Sequence, residues 1–223
     1  MKTSTTINAC TDPETPVFLA ATAIINYHEP GVRQQVAKLA QGLTLDVDIA
    51  KACFEFVRDH IQHSVDYQRN PVTCHASEVL QYKTGFCFAK SHLLTALLRA
   101  NQIPAGFCYQ RLILDSRALA RHITPTYSLH GVNAVYLNNY GWYRCDPRGN
   151  RAQGEFPGEG TAIQAEFNPP FEQLAYTIEH MGEQDLPEIH AEPLPAVVRV
   201  LTQYNDYQTA ADHLPDLEPA PDN

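Results

Sequence analysis

The sequence predicts an α+β fold in which helices come first and antiparallel strands follow. Apolar residues recur at helical spacing in several segments up to residue 100, whereas strand-forming stretches dominate residues 105–146. This order argues against an alternating α/β chain with a parallel sheet. Hydrophobic residues make up 44% and charged residues 18% of the 223 residues, which is typical of a globular protein. We therefore expect a single domain over residues 1–205.

Helix-start and helix-stop signals delimit the predicted helices. Pro30 suits a first helical turn, and Asp46 suits an N-cap. Gly42 and Asn101 suit the residue that follows a helix. Between these signals the apolar periodicity predicts four helices: from Pro30 to before Gly42, then at 46–61, 76–81 and 87–100.

Three strands are expected after the fourth helix, at residues 107–114, 130–137 and 142–146. The segment Asn138-Asn139-Tyr140-Gly141 has the turn chemistry of a hairpin and joins the second strand to the third. We therefore expect these two strands to pair in antiparallel fashion.

The last third of the chain has weaker signals. Two further helices are predicted near residues 171–181 and 196–207. Residues 206–223 are acidic and rich in proline, and we expect them to form a mobile tail.

Charge and hydropathy exclude several classes of protein. Sixteen Lys and Arg face 25 Asp and Glu, a formal charge of −9, so nucleic acid is not an expected partner. The longest apolar run, residues 17–25, is about half of the ~20 residues that a membrane helix needs. Six cysteines without a C-x-x-C pair, and no secretory signal, predict free thiols and a cytoplasmic location.

Cys87 stands at the beginning of the most apolar helix. The positive end of the helix dipole and the unpaired backbone N–H groups of the first turn favour a thiolate there. A thiolate is the species that attacks a carbonyl carbon. Because a buried cysteine is more commonly a small core residue, a nucleophile hypothesis depends on its partners.

His130 opens the second strand and Asp146 closes the third. If the loop between them has three residues, 138–140, Val132 faces Asp146 and the two polar side chains share one face of the hairpin. They are then diagonal neighbours, about 7 Å apart at Cβ. A four-residue loop places them on opposite faces unless a bulge intervenes. A Cys-His-Asp triad therefore requires the three-residue turn.

The three residue types suit a thiol mechanism. His130 takes the thiol proton and later protonates a leaving amine, and Asp146 accepts a hydrogen bond from the other imidazole nitrogen. The N–H of Cys87 is the natural first oxyanion donor. The second donor stays open among three candidates: Gln81, Tyr67 and Gln68.

Three residues are candidates for a substrate pocket: Gly85, Phe86 and Trp142. Gly85 has no side chain where a substrate backbone approaches the thiol. Trp142 has the strand parity of Asp146, so it either shields the triad or belongs to the core. Taken singly, the histidine and the aspartate are more commonly structural, and only their combination with Cys87 favours function.

A metal site is the main alternative for the same residues. The candidate ligands are Cys74, His75, Cys87, His92, His122 and His130. They lack the tight paired spacing of a structural zinc site. The sequence therefore predicts neither a metal nor another cofactor.

Several motifs together resemble the bacterial transglutaminase-like family. They are Thr84-Gly85-Phe86-Cys87 followed by residues 94–105, His130 with the strand Ala134-Val135-Tyr136-Leu137, and Gly141-Trp142-Tyr143-Arg144-Cys145-Asp146-Pro147. Matching residue types extend over about a third of the chain. One departure is Val132, since the family often has an aromatic residue two positions after the histidine.

The resemblance implies a papain-like fold with the cysteine helix packed on an antiparallel sheet, and a catalytic core at about 45–150. It also implies a Cys-His-Asp triad that acts on amide bonds through a thioester. We expect hydrolysis of a peptide, protein or small amide. Acyl transfer to an amine, and a non-catalytic binding module on the same fold, are the alternatives.

Overall fold

The computed structural model describes residues 16–114, 124, 126–155 and 162–217. The predicted α+β order is confirmed. Within these described residues, six helices follow a short 3₁₀ turn at Pro16–Phe18: α1 (Pro30–Leu39), α2 (Asp46–His60), α3 (Ala76–Tyr82), α4 (Cys87–Ala100), α5 (Pro195–Gln203) and α6 (Tyr207–Asp212). The strands are β1 (Gln62–His63), β2 (Thr84–Gly85), β3 (Ala105–Ile113), β4 (Tyr127–Leu137), β5 (Gly141–Cys145), β6 (Glu166–Asn168), β7 (Phe171–Gln173) and β8 (Gln184–His190).

The main sheet has four antiparallel strands in the order β5-β4-β3-β8. Helix α4 lies against it and is buried over 13 of its 14 residues, which explains why apolar residues occur all round the helix. The Asn133 side chain on β4 donates hydrogen bonds to Ser91 O (3.1 Å) and Thr95 Oγ1 (2.8 Å) of α4. These bonds fix the position of the helix along the sheet.

The β4–β5 hairpin has the predicted register. Leu137 pairs with Gly141 and Asn133 with Cys145, so the turn contains three residues, 138–140. Strand β5 ends at Cys145, one residue before the prediction, and β4 begins at Tyr127, earlier than predicted. The register nevertheless directs His130 and Asp146 to the same side.

A two-stranded parallel ladder precedes α4. Gln62 pairs with Thr84 and His63 with Gly85, immediately after α2 and immediately before α4. This ladder ties the start of α4 to the end of α2, although each strand has only two residues. It was absent from the sequence prediction because two-residue strands carry no periodic signal.

The predicted helix at 171–181 is wrong. Residues Phe171–Gln173 form strand β7, paired with β6, and the chain then continues without a helix to β8. The apolar Ile178 and Met181 are exposed rather than packed. The Glu183 carboxylate accepts the N–H groups of residues 179 and 180, so a side chain takes the place of helical acceptors.

The C-terminal predictions also need correction. The helix expected at 196–207 ends at Gln203, and α6 begins after Asp206, whose carboxylate caps it by accepting the Thr209 N–H at 2.8 Å. The expected tail therefore contains a helix. It also contacts the sheet, because Pro215 O accepts the Leu129 N–H at 2.7 Å. Residues 218–223 lie outside the described ranges.

Within the described ranges, no helix is both long enough and apolar enough to span a membrane.

Candidate functional site

Cys87 is the first residue of α4, and its thiol is nearly buried, with 9% of the residue exposed. No side chain caps this helix start, so the backbone N–H groups of its first turn have no intrahelical or capping acceptor. The contact between Phe88 and Gly131 brings the helix start close to β4. A Cβ at position 131 would lie 2.9 Å from Phe88 Cδ1, so only glycine permits this approach.

His130 joins the thiol to the carboxylate. His130 Nε2 lies 2.7 Å from Asp146 Oδ2, and both side chains are buried. The charge of Cys87 contributes to the pKa of the same imidazole, so the thiol lies close to it. Because Nε2 is engaged by Asp146, Nδ1 is the nitrogen left for the thiol. The structure thus brings together the three residues that the sequence singled out.

Asp146 is completely buried and fully hydrogen-bonded. Its Oδ1 accepts the Arg148 N–H at 3.0 Å, and its Oδ2 accepts the Ala175 N–H at 3.0 Å as well as the imidazole. Burial alone would raise the pKa of this carboxyl. The charge of His130 and the three hydrogen bonds outweigh burial and lower its pKa below the usual value. The carboxylate is therefore ionised at neutral pH.

The pKa of His130 moves in the opposite direction. Burial disfavours the imidazolium, but the charges of Asp146 and Cys87, together with the hydrogen bond to Asp146, raise the pKa of His130 well above its ordinary value. A protonated imidazole close to Cys87 is one half of the ion pair that a thiol nucleophile uses.

The other described thiols have a different environment. Burial raises the pKa of Cys53, Cys74 and Cys108 to about 12, and burial raises that of Cys145 well above its ordinary value. All four are buried and none is a disulfide partner. Their environment is that of core residues.

A buried ion pair beside the triad was missed by sequence reasoning. The Arg148 guanidinium binds both carboxylate oxygens of Asp66, and both side chains are about 95% buried. Burial opposes the charge on Arg148, but Tyr176, Asp66 and Cys87 raise its pKa above the ordinary value. The sequence signal was the arginine immediately after Asp146-Pro147, although its partner lies 82 residues away.

Residues 174–176, in the segment wrongly predicted as a helix, also reach the triad. Ala175 N–H binds Asp146, as described above. The Tyr176 ring lies 4.9 Å from the His130 ring, centre to centre, with the planes 83° apart. No local sequence signal marks these contacts, because the segment has neither helical nor strand periodicity that leads to the site.

The three oxyanion candidates occupy the surface. Gln81 is exposed on α3, and Gln68 is exposed in the loop after β1 with a φ of 50°. Tyr67 is 43% exposed and borders a small cavity of about 30 Å³, together with His63, Lys90 and Arg148. The second donor thus stays a prediction among these residues.

Two of the substrate-pocket candidates, Gly85 and Phe86, are buried. Gly85 lies in the β1–β2 ladder, and a Cβ there would lie 3.0 Å from Ala89 Cβ, so α4 packs closely against it. Phe86 is 1% exposed and belongs to the main core. A role for either residue in a substrate pocket stays a prediction.

Trp142 is half-buried at the edge of a small apolar cluster. Its ring packs edge-on against Phe18 at 5.1 Å and Tyr136 at 5.7 Å. The cluster that it borders contains Cys108, Val132 and Ala134. A role for Trp142 in shielding the candidate triad stays a prediction.

The candidate metal ligands are separated. His92 is buried and donates from Nδ1 to the Cys74 carbonyl at 2.7 Å, and His75 pairs with Glu78 on the surface. In the part of the chain that the structure describes, no three His, Cys, Asp or Glu residues form a group able to hold a metal ion. His122 lies outside the described residues.

Known proteins resemble this chain in the region that contains the candidate catalytic residues. The family model for the transglutaminase-like superfamily core matches residues 33–147. This range contains Cys87, His130 and Asp146. A search of proteins of curated function found no match.

Three solved structures are similar at low identity. A candidate cysteine protease from Cytophaga hutchinsonii has 17% identity and a TM-score of 0.47 over 66% of this chain and 45% of its own. A candidate protease from Parabacteroides distasonis has 11% identity and a TM-score of 0.39 over 69% and 31%. Red sea bream transglutaminase has 13% identity and a TM-score of 0.34 over 55% and 25%. The chain thus spans less than half the length of each.

The family match covers more than half of the chain, and the resemblance noted from its motifs is confirmed. Helix α4, with Cys87 at its start, packs on an antiparallel sheet that carries His130, which is the papain-like arrangement that the resemblance implied. The chain belongs to the transglutaminase-like superfamily.

Proposed function

We propose that this chain is a thiol-dependent enzyme that hydrolyses an amide bond in a peptide, protein or small molecule through a thioester at Cys87. The observation that carries this proposal is the position of His130, whose imidazole lies 2.7 Å from Asp146 and close enough to Cys87 for the charge of the thiol to act on it. It unites a nucleophile, a base and an orienting carboxylate, which is the minimum that acyl chemistry on a thiol requires.

The first half-reaction forms the thioester. His130 Nδ1 takes the proton from the Cys87 thiol, and the sulfur attacks the carbonyl carbon of the amide. The tetrahedral intermediate then loses its amine. The C–N bond breaks, the S–C bond remains, and the imidazolium gives its proton to the leaving nitrogen.

The second half-reaction releases the acid. His130 accepts a proton from water as the water oxygen attacks the thioester carbon. The S–C bond breaks, the carboxylic acid departs, and the proton on His130 returns to the Cys87 sulfur. Throughout, Asp146 keeps Nε2 as a donor and stabilises the imidazolium without taking its proton.

The start of α4 supports the negative charge of each intermediate. The N–H of Cys87 has no intrahelical acceptor and points with the helix dipole towards the reacting centre, so it is the proposed first oxyanion donor. The second donor is proposed among Gln81, Tyr67 and Gln68. Tyr67 is the first to test, because it borders the same small cavity as Arg148.

Hydrolysis is proposed ahead of acyl transfer for a chemical reason. Both routes share the thioester, but transfer needs a second site that holds an amine and excludes water, whereas water is always available. The experiment described next distinguishes hydrolysis from acyl transfer.

The test uses the full chain with a library of short peptides, with and without a fluorescent primary amine. Mass spectrometry detects new termini, glutamine deamidation and amine incorporation. We expect cleavage or deamidation to fall about 10³-fold or more in Cys87→Ala. Cys53→Ala, which removes another buried thiol on α2, is the matched control and should keep its activity.

Three results would contradict the proposal. Full activity in Cys87→Ala on a substrate of the native chain excludes the nucleophile. Amine incorporation in place of hydrolysis assigns acyl transfer instead. No turnover in any assay, combined with a Cys87 thiol that reacts no faster than the buried thiols, assigns a binding module.

A further inference from the structure

Two residues of a three-residue segment outside the family core contact the candidate triad: Ala175 binds Asp146, and Tyr176 packs on His130. Residues 174–176 lie between β7 and β8, beyond the residues 33–147 that match the family. They form no helix or strand. We call this segment the strap.

Both sides of the strap are attached to the sheet. Leu174 packs against the small apolar cluster that includes Val132 on β4. The Tyr176 carbonyl accepts a hydrogen bond from Gln110 Nε2 at 3.4 Å. Gln110 is the residue of β3 directly opposite His130. The strap is therefore held over the part of the sheet that carries the histidine.

The middle of the strap binds the carboxylate. The Ala175 N–H donates to Asp146 Oδ2 at 3.0 Å, the same oxygen that accepts the imidazole of His130. A backbone donor at this oxygen favours the ionised carboxylate and restricts its rotation. The position of Asp146 Oδ2, which accepts the hydrogen bond from His130, thus depends on the strap.

The Tyr176 ring covers the imidazole itself. Its centre lies 4.9 Å from that of His130 and 5.9 Å from the Arg148 guanidinium carbon. Tyr176 is half-buried, and its ring makes a T-shaped contact with His130, which is only 5% exposed, so the ring is part of the surface that covers the imidazole. An aromatic ring attracts a neighbouring cation more strongly than an aliphatic side chain of similar volume does.

We propose that Tyr176 is a positioning residue for the triad: its ring packs on His130 and favours the imidazolium, and so the thiolate of Cys87. The inference rests on the proposed function, because it assumes that the ionised pair is the reactive state. It adds a residue from outside the family core to the machinery, which the triad alone does not include.

The experiment measures the rate at which iodoacetamide modifies Cys87, by peptide mass mapping on the full chain between pH 5 and pH 9. The variants are Tyr176→Phe, which keeps the ring, and Tyr176→Leu, which keeps most of the volume. Tyr140→Leu is the matched control, because Tyr140 is 45% exposed in the β4–β5 turn. Thermal unfolding of each variant verifies folding.

We expect Tyr176→Phe and Tyr140→Leu to stay within about twofold of the native rate at every pH, since neither removes the ring from His130. Tyr176→Leu should lose about tenfold at pH 6 and much less at pH 9, where hydroxide forms the thiolate without the imidazole. Such a pH-dependent loss is not expected from altered access or packing, which would lower the rate equally at all pH values.

Two results would overturn the inference. Equal rates for Tyr176→Leu and Tyr176→Phe at pH 6 mean that the ring has no role. A loss that is the same at pH 6 and pH 9 means that Tyr176 acts on access or on folding. If the native Cys87 itself reacts no faster than the buried thiols at pH 6, the proposed function fails first, and the inference falls with it.

Discussion

His130 Nε2 lies 2.7 Å from Asp146 Oδ2, and a turn of three residues makes this contact possible. The turn sets the β4–β5 register, and the register decides which side chains share a face. With one residue more or fewer, Asp146 would face away from the histidine. The candidate site therefore depends on the length of a surface turn that contains none of its residues.

The thiols should differ sharply in reactivity. At pH 7 we expect iodoacetamide to modify Cys87 at least about tenfold faster than Cys53, Cys74, Cys108 and Cys145, because burial raises the pKa of those four to about 12 or well above the ordinary value. Peptide mapping assigns each adduct and keeps Cys10 separate. Faster modification of any of the four would contradict the assignment.

Replacing Asp146 by Asn should uncouple the histidine from the thiol. The Arg148 and Ala175 N–H groups bind different carboxylate oxygens, so the single amide oxygen keeps one of these two bonds, and thermal unfolding of the variant verifies that the fold persists. The charge that raises the pKa of His130 is lost. We expect kcat/KM on a confirmed amide substrate to fall about 10³-fold, as neutralising the carboxylate of a triad does. A loss below tenfold would show that the carboxylate is not part of the mechanism.

Gly131 should be intolerant of a side chain. A Cβ there would lie 2.9 Å from Phe88 Cδ1 and 3.2 Å from Phe88 Cα, so the start of α4 has to move. We expect Gly131→Ala to lower the free energy of unfolding in urea by about 1–3 kcal/mol and to slow alkylation of Cys87. Gly31→Ala on α1 is the control, since no atom lies within 4 Å of that Cβ. Equal stability of the two variants would contradict the packing argument.

His92 should make the protein sensitive to acid. Burial lowers the pKa of His92 to about 4, below the 6.5 of an exposed histidine, so the unfolded chain binds this proton more readily than the folded one. The free energy of unfolding should be unaffected by this group above pH 6.5 and should decrease as the pH falls from 6.5 to 4, by about 3 kcal/mol. Below pH 4 this contribution stays constant.

The variant His92→Gln isolates that contribution. Glutamine can still donate to the Cys74 carbonyl but does not titrate. Urea unfolding at pH 7, 5.5 and 4.5 should give a smaller acid loss for the variant than for the native chain. Parallel curves for the two proteins would show that His92 is not responsible.

Local patterns predicted the helices before the sheet with good accuracy. The four helices up to Ala100 appear within two or three residues of their expected limits, because capping residues and the apolar period act over one or two turns. The helix prediction for residues 171–181 was wrong because it relied on a local apolar pattern alone. Its apolar residues suggested a buried face, but a carboxylate and the neighbouring strand β6 take the backbone hydrogen bonds instead.

The sequence by itself determined the identity of the three candidate catalytic residues, because their motifs, a helix start and a hairpin, are local in the chain. Only the tertiary structure decided what surrounds them. Asp66 meets Arg148 across 82 residues, and Ala175 meets Asp146 across 29. Such contacts depend on the path of the whole chain and produce no periodic pattern in the sequence, so residue spacing alone does not reveal them.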